Sequence, residues 1–568
     1  MSMVMVNKNL YAKKRVSTPI IHDQSKFWNK KSAIVALVLI LILASVIRIM
    51  GFNWGYPHRL HSDEGFIVDS AIEMAQVGTL EAKGWETPGH IIKIIASLSF
   101  RAFEIIVYGV GMQSPVIAEP QRFIYVAITR IIMALFGIAT VWLVYFIGST
   151  FNRRLGIIMS FLFAFYPLFA IHAHNAVPDI SLTFFIVLFI YFALLYTKNP
   201  NIKFTSLMSA IVAVGTLEKL PALFSVVVIA ILIIVFNYRQ PKILFKHALI
   251  SIIVLVATMF LISPHLFLRF GDFYTVFQNE NRSVHLGADG LGFGGNLFFY
   301  IRNYTNYAGI GLLLLTILGL IRLFFQRNKH YLPFLTGYIF LILISTRGLH
   351  WERWGLPIYA GFLMTATFGV DWLLSKREKI KTKTWRIAII IILLLIGSHL
   401  LVSSFKETII RLMAPDTRIE ALVFVKENGI TKDNSIFDGY TPFEPGKPNT
   451  LTKALVIDGD QLLLSNSVYQ FAIASSLMYG RYLNNSSQYS DEAHKYDLLF
   501  EHGDLIIEYF PSRTRRSNWE IINIYYSLQD LHQFFQGKFL KGPTLKIYDI
   551  SSFSTYQSAI PENSANTF

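Results

Sequence analysis

Long apolar runs, divided by short polar intervals, fill the chain up to about position 403. Roughly 20 apolar residues let an α-helix cross a hydrocarbon core. Such runs occur at about 32–50, 122–149, 155–171, 180–197, 204–217, 220–237, 247–263, 298–321, 331–346, 355–374 and 386–403. The pattern predicts a polytopic α-helical membrane protein of about 11 transmembrane helices. The run beginning near Ser32 is too long for a signal peptide and lacks a small-residue cleavage site, so it reads as a retained first span.

The intervals alternate in charge. Arg153 and Arg154, Lys198 and Lys203, Arg239 with Lys242 and Lys246, Arg322 with Arg327 and Lys329, and the stretch from Lys376 to Arg386 fall in every second interval. With the basic tail 1–31 in the cytoplasm, all of them lie on the cytoplasmic side, as the positive-inside rule asks. The segment HIIKIIASLSFRAFEIIVYGV (90–110) is nearly apolar enough to be a further span, but counting it would invert every later interval. It is therefore expected on the outer leaflet as an amphipathic helix, with Lys93, Arg101 and Glu104 facing the headgroups. The first outer loop then runs from about 51 to 121.

The apolar pattern stops at Ser403. Residues 32–403 form the membrane domain, 404–415 a linker, and 416–568 a soluble α/β domain, extracytoplasmic after eleven spans. TRIEALVFVKENG reads as a helix with a capping box of Thr417 and Glu420 and a stop at Gly429. NSIFDG, KALVIDG, DLIIEYF and LKIYDI read as buried strands, interleaved with helical SVYQFAIASSLMYG and SLQDLHQFF.

Composition agrees: 53% of the 568 residues are hydrophobic. The net charge of +15 is a topology signal and not a nucleic-acid footprint, because the cations cluster between apolar runs. The absence of cysteine excludes disulfides, thiolate catalysis and Cys-ligated metal sites.

On this topology His58, His61, Asp63, Glu64, Lys83, His90, His172, His174, Asp179, Glu218, Lys219, His265, His285, Arg347, His350 and Arg353 all fall at outer span ends or in outer loops. Charges beside lipid are costly unless paired or wet, so this set predicts an outward polar cavity. The adjacent Asp63 and Glu64 read either as caps of the helix that follows or as a general base beside a dry pocket. Asp179, in HAHNAVPD, offers a second acidic position, and His61, His172, His174 and His350 would line the cavity. Lys219, Arg347 and Arg353, with Lys83, suit an anion such as phosphate. The glycine-rich GADGLGFGGN (287–296) lacks the strand–loop–helix context of a nucleotide loop and reads as a flexible loop over the cavity. His61, Asp63, His172, His174 and Asp179 offer nitrogen and oxygen ligands for a divalent cation, but their spacing is unspecific. No metal ligand set and no cofactor is assigned.

HSDEG after the first span, TLEAKGWETPGH and a surface helix beyond it resemble the membrane glycosyltransferases of the GT-C superfamily. The likeness is nearest to the protein O-mannosyltransferase and aminoarabinose-transferase group. RIIMALFG at Arg130, HNAVPD, LEKLPAL, ERWGLPIYAGFL and PDTRIEALVFVKENG are similar to that group's later landmarks in the same order. No WWD tract of oligosaccharyltransferases is present. The resemblance implies a GT-C fold in the plasma membrane and a mannose- or arabinose-like sugar donor on dolichyl or undecaprenyl phosphate. It implies inverting transfer to a hydroxyl of a lipid, glycan or protein acceptor. Asp63 would be the base, Glu64 and Asp179 would orient acceptor or donor, and the cations would hold the leaving phosphate. Competing readings are a flippase for lipid-linked sugar and a non-catalytic glycan-binding scaffold, although neither repeated halves nor interrupted midplane helices are evident.

Overall fold

The structure, a computed structural model, describes residues 29–81, 88–109, 122–280, 282, 284–377, 379–443, 450–459 and 461–555. Lys83 and most of the tail 1–31 lie outside the described residues.

Each apolar run is helical. The chain forms α1 (Lys30–Ile49), α2 (Glu64–Val77), α3 (His90–Tyr108), α4 (Arg122–Ser149), α5 (Arg153–Phe165), α6 (Pro167–His172), α7 (Asp179–Lys198) and α8 (Ile202–Glu218). It continues through α9 (Ser225–Asn237), α10 (Pro241–Ile262), α11 (His265–Leu268), α12 (Phe270–Glu280), α13 (Gly292–Phe325), α14 (Thr336–Ser345), α15 (Leu356–Arg377) and α16 (Lys383–Met413). Asparagine caps open several of them: Asn29 accepts from Ser32 N, Asn152 from Leu155 N and Asn201 from Phe204 N. Among the described residues eight helical segments are long and apolar enough to cross a membrane, and a shorter apolar one covers Lys329–Ser345. Of the expected eleven spans, 155–171 is broken at Pro167 into α5 and α6, and 204–217 falls in the 17-residue α8.

The basic intervals meet at one end of the bundle. Arg154 Nε and Arg322 Nη1 each lie 2.8 Å from a carboxylate oxygen of Asp371, and Lys198 Nζ donates to Thr150 O. Small residues bring helices close: a Cβ at Gly319 would overlap the Thr365 carbonyl oxygen, and one at Gly369 that of Leu315, so α13 and α15 touch backbone to backbone. By contrast, α10 buries only His247 and Ser251, which bond Thr205 and Ser209 of α8 at 2.7 Å.

The helix α3 corrects one expectation. Lys93 and Glu104 are buried and Glu104 accepts from Tyr125 OH at 2.9 Å, whereas Leu98, Ile106 and Val107 are exposed. Of the three charges expected at the headgroups only Arg101 is exposed, because α2, α4 and α8 supply protein partners on the polar side.

The tail begins with α17 (Thr417–Glu427), followed by β1 (Ser435–Phe437), α18 (Leu451–Ala454), β2 (Leu455–Asp458), β3 (Gln461–Leu464), β4 (Phe471–Ser475) and α19 (Ser476–Leu483). It ends with α20 (Ser490–His502), β5 (Asp504–Tyr509), α21 (Glu520–Phe535) and β6 (Leu545–Asp549). The sheet order is β1-β4-β6-β5, with β1 parallel to β4 and the other pairs antiparallel, and β2 and β3 form a separate hairpin. One sheet face packs Leu451, Tyr496 and Leu499, the other Ala421 and Val425. Three sequence expectations change. The cap of α17 is Asp416, whose side chain accepts from Arg418 N, while the Thr417 hydroxyl donates to Pro543 O. The stretch expected as helix at 467–480 contains the central strand β4, because a continuous apolar run reads alike as buried strand or helix. β5 lies at the sheet edge and is half exposed, not buried.

Candidate active site

The first loop is held by a buried arginine. Arg130, within the apolar α4, donates to Phe52 O at 3.0 Å and Trp54 O at 2.7 Å and stacks on the Trp54 ring. Its guanidinium also grips Glu64 in two bonds, Nε to Oε1 at 2.8 Å and Nη2 to Oε2 at 2.7 Å. Ala176 N adds a third bond to Glu64 at 2.8 Å. Glu64 and Arg130 are both 0% exposed, so the carboxylate has no open side. It ties the start of α2 to α4 and to the HNAVPD turn.

Asp63, one residue earlier, faces the other way. It makes no capping bond. Its Oδ2 receives Arg353 Nη1 at 2.5 Å and its Oδ1 the Ser62 hydroxyl at 3.1 Å. The carboxylate remains one-third exposed. Burial pushes its carboxyl up, but Arg353 and His61, with the bonds from Arg353 and Ser62, outweigh that and hold it below the usual range. The Asp63 N–H donates to His61 Nδ1 at 3.2 Å, which leaves the His61 proton on Nε2. Burial depresses His61 despite the nearby Glu64 and Asp63.

A second pair sits beside the first. Asp179 at the start of α7 bonds Lys219 Nζ at 2.6 Å, where the chain leaves α8 for a short 3₁₀ turn. Arg353 lies in the field of Asp179 as well as Asp63, and His172 in that of Asp179, Arg353 and His61. The His172 Nδ1 is buried without a hydrogen-bond partner. Asp63, Arg353, Asp179, Lys219, His61 and His172 thus form one cluster. Three other sequence candidates do not join it in the same way. The ring nitrogens of His174 each sit 2.7 Å from a carbonyl, of Ala170 and of Met50. The His350 ring packs on Phe299, and its backbone N–H donates to Ala288 O in the glycine-rich loop. Arg347 lies on a cavity wall.

That cavity has a volume of about 630 Å³. Its lining is mainly apolar, including Leu220, Phe224, Val256, Met259 and Phe267, and is edged by Lys219, Arg347, Arg282 and His90. Lys219 belongs both to the cavity and to the acid cluster, joining the two. Among the described residues no three His, Asp or Glu side chains converge as metal ligands.

Residues 126–267 match the model of a family described as dolichyl-phosphate-mannose-protein mannosyltransferase. The GT-C resemblance is supported. The match contains Arg130, His172, His174, Asp179 and Lys219 but neither the acid pair nor Arg347 and Arg353. Two solved structures of ArnT from Cupriavidus metallidurans are similar to it. The form bound to undecaprenyl phosphate is 14% identical, over 80% of this chain and 95% of that one, with a TM-score of 0.45. The apo form is 13% identical, over 93% and 99%, with a TM-score of 0.46. No curated protein matches the chain.

Sequence reasoning undervalued Arg130, although a lone arginine in an apolar run signals a buried partner. It missed Arg282, and it missed Tyr440 of the tail. Tyr440 has a left-handed φ of 63°, stacks with Arg481 and lies in the field of Arg353. The tail also touches the segment before Asp63 directly, where Arg418 Nη1 donates to Leu60 O at 2.7 Å.

Proposed function

We propose that the protein transfers a mannose- or arabinose-like sugar from a polyprenyl phosphate to the hydroxyl of a lipid, glycan or protein acceptor, with inversion, on the outer face of the cell membrane. One observation carries the reading: two carboxylate–cation pairs share one field at the edge of an apolar cavity of about 630 Å³. The prenyl chain occupies the apolar cavity and its phosphate meets Lys219, Arg347 and Arg353. Asp63 is the base.

The ground state keeps that base weak, since Arg353 lowers its proton affinity. A phosphate arriving between Lys219 and Arg353 competes with both carboxylates for their cations. Donor binding thereby raises the basicity of Asp63 just where the acceptor must be deprotonated. The acceptor proton passes to the Asp63 carboxylate as the acceptor oxygen bonds the anomeric carbon. The bond from that carbon to the phosphate oxygen breaks, and its electron pair stays on the polyprenyl phosphate, where the cations stabilise it. Asp179 holds Lys219 in place, and Glu64 acts at one remove by fixing the loop that carries Asp63.

The test is purified protein in nanodiscs given a labelled polyprenyl-phosphate sugar. The expected result is glycosylated acceptor of inverted anomeric configuration and free polyprenyl phosphate. Donor that crosses the bilayer intact, or that is bound without turnover, would overturn the proposal.

A further inference from the structure

The helix α21 is built inside out. Its buried residues are Glu520, Asn523, Ser527 and Asp530, all polar, whereas Ile521, Tyr525, Leu528 and Phe535 on the opposite face are exposed, as is Trp519 before it. A water-facing helix has the reverse distribution. The span-length helix α10 shows the same inversion, burying only His247 and Ser251.

The inward face of α21 lies on membrane-domain helices. Ser527 bonds Ser403 and Asp530 bonds Lys406, both of α16, and Phe534 packs with Ile410 and Ala414. Its first turn reaches a break in α13, an interruption that the sequence did not reveal, where Gly309 has a left-handed φ of 80°. The break frees backbone N–H groups, and the tail satisfies two of them: Ile310 N donates to Asn518 O at 2.7 Å and Gly311 N to the Glu520 carboxylate at 2.5 Å. A side chain at Gly309 would collide with that carboxylate. In hydrocarbon an unpaired backbone group costs several kcal/mol, so a broken span needs such a patch.

The depth follows from helix rise. His399 bonds Tyr307 O at 3.0 Å, which puts the break level with His399. Arg386, thirteen residues earlier, lies at the basic end, so the break is about 20 Å above it at 1.5 Å per residue. The hydrocarbon core is about 30 Å thick, and so the start of α21 lies within it. From there the contacts climb α16 in order, from Ser403 to Lys406 to Ile410. The exposed face grows more polar with height: Ile521, Ile522, Tyr525 and Leu528 at the deep end, then Gln529, His532 and Gln536, with Phe535 among them, near the top.

We propose that α21 is a lipid-facing helix of the tail domain, its first turns immersed in the acyl chains of the leaflet on the tail's side, beside α13 and α16. The tail is then anchored in the bilayer by its own helix and is not a domain tethered only by the linker.

The cysteine-free sequence makes the test direct. Single variants Ile521→Cys, Tyr525→Cys, Leu528→Cys and Phe535→Cys carry a nitroxide in the full-length protein, in vesicles of phosphatidylcholine and phosphatidylglycerol. Collisions with oxygen and with a water-soluble nickel complex are measured against Ser465→Cys in the tail. At Ile521 and Tyr525 oxygen collisions should exceed nickel collisions, the reverse of the control, with the excess declining to Phe535. Nickel access equal to the control would place the face in water and overturn the proposal. Low access to both reagents would mean that protein, such as a second copy, covers the helix, and would overturn it equally.

Discussion

Asp63 and Glu64 are neighbours of the same charge, yet their isosteric replacement should fail in different ways. Asp63→Asn keeps the shape and removes the basicity. Loss of a general base typically costs 10²–10⁴-fold in rate, or about 2.7–5.5 kcal/mol at 1.36 kcal/mol per tenfold. The pair it forms with Arg353 is one-third exposed on the acid side and one-quarter on the other, so its stability contribution is that of a surface pair, about 0–1 kcal/mol. Glu64→Gln strands Arg130, which is 0% exposed. Breaking a buried pair by removing one partner costs about 3–5 kcal/mol, a large part of a typical folding free energy of about 5–15 kcal/mol. Asp63→Asn should therefore purify and melt like the parent but turn over at least 10²-fold more slowly. Glu64→Gln should lose folded protein faster at a fixed elevated temperature and retain more turnover per folded molecule than Asp63→Asn. Both are measured on nanodisc preparations, turnover with labelled donor and folded fraction by tryptophan fluorescence. Near-parental turnover by Asp63→Asn, or parental stability of Glu64→Gln, would refute the division of roles, and Asp179 would become the next candidate base.

On the cavity wall, Arg347→Ala should raise the donor KM roughly tenfold with kcat little changed, the loss of one charge-assisted bond. An unchanged KM would remove Arg347 from the donor site. In the tail, burial pushes the Asp438 carboxyl up to about 7, more than its bonds from Ser475 N and Tyr496 OH recover. Its folded value thus lies above the unfolded one, so the associated stability is complete below about pH 4 and lost as pH rises through 7. Proteolysis of the tail in the full chain should become easier from pH 5 to 8, and Asp438→Asn should flatten that trend; a flat parental profile would contradict the assignment. For topology, Ser62→Cys and Ser465→Cys should react with an impermeant maleimide in intact cells, and Asn199→Cys and Lys379→Cys only after permeabilisation. Labelling of Ser62→Cys and Ser465→Cys from opposite sides would separate the tail from Asp63 and defeat the proposed mechanism.

Helix positions were legible because a hydrophobic run and a helix are set by the same residues. Orientation was harder to read. Lys93 and Glu104 look like headgroup contacts in α3 until α2, α4 and α8 are seen to cover them. β4 was hidden because the centre of a sheet and the centre of a helix bundle ask for the same side chains. At the site, residue types were informative and partners were not: nothing local distinguishes Asp63 from Glu64, and the difference comes from Arg130 and Arg353, 66 and 290 positions away. Arg347 and Lys219 could be read as cations suited to phosphate, but their place beside one cavity depends on how α8 and α14 pack.

The close approach of Gly319 and Gly369 has a mechanical side. Two helices in contact backbone to backbone cannot slide past each other without carbonyl oxygens colliding, so α15 and the part of α13 beyond Gly309 act as one stiff post, with Arg353 just before the upper end of α15. One wall of the cavity is drawn from α10 to α12, and α10, although it packs along α8 and α9, fully buries only His247 and Ser251. The one glycine of α10–α12, Gly271, meets no neighbour within 4 Å, so that wall is held by side chains alone, whereas α13 and α15 are locked at the backbone.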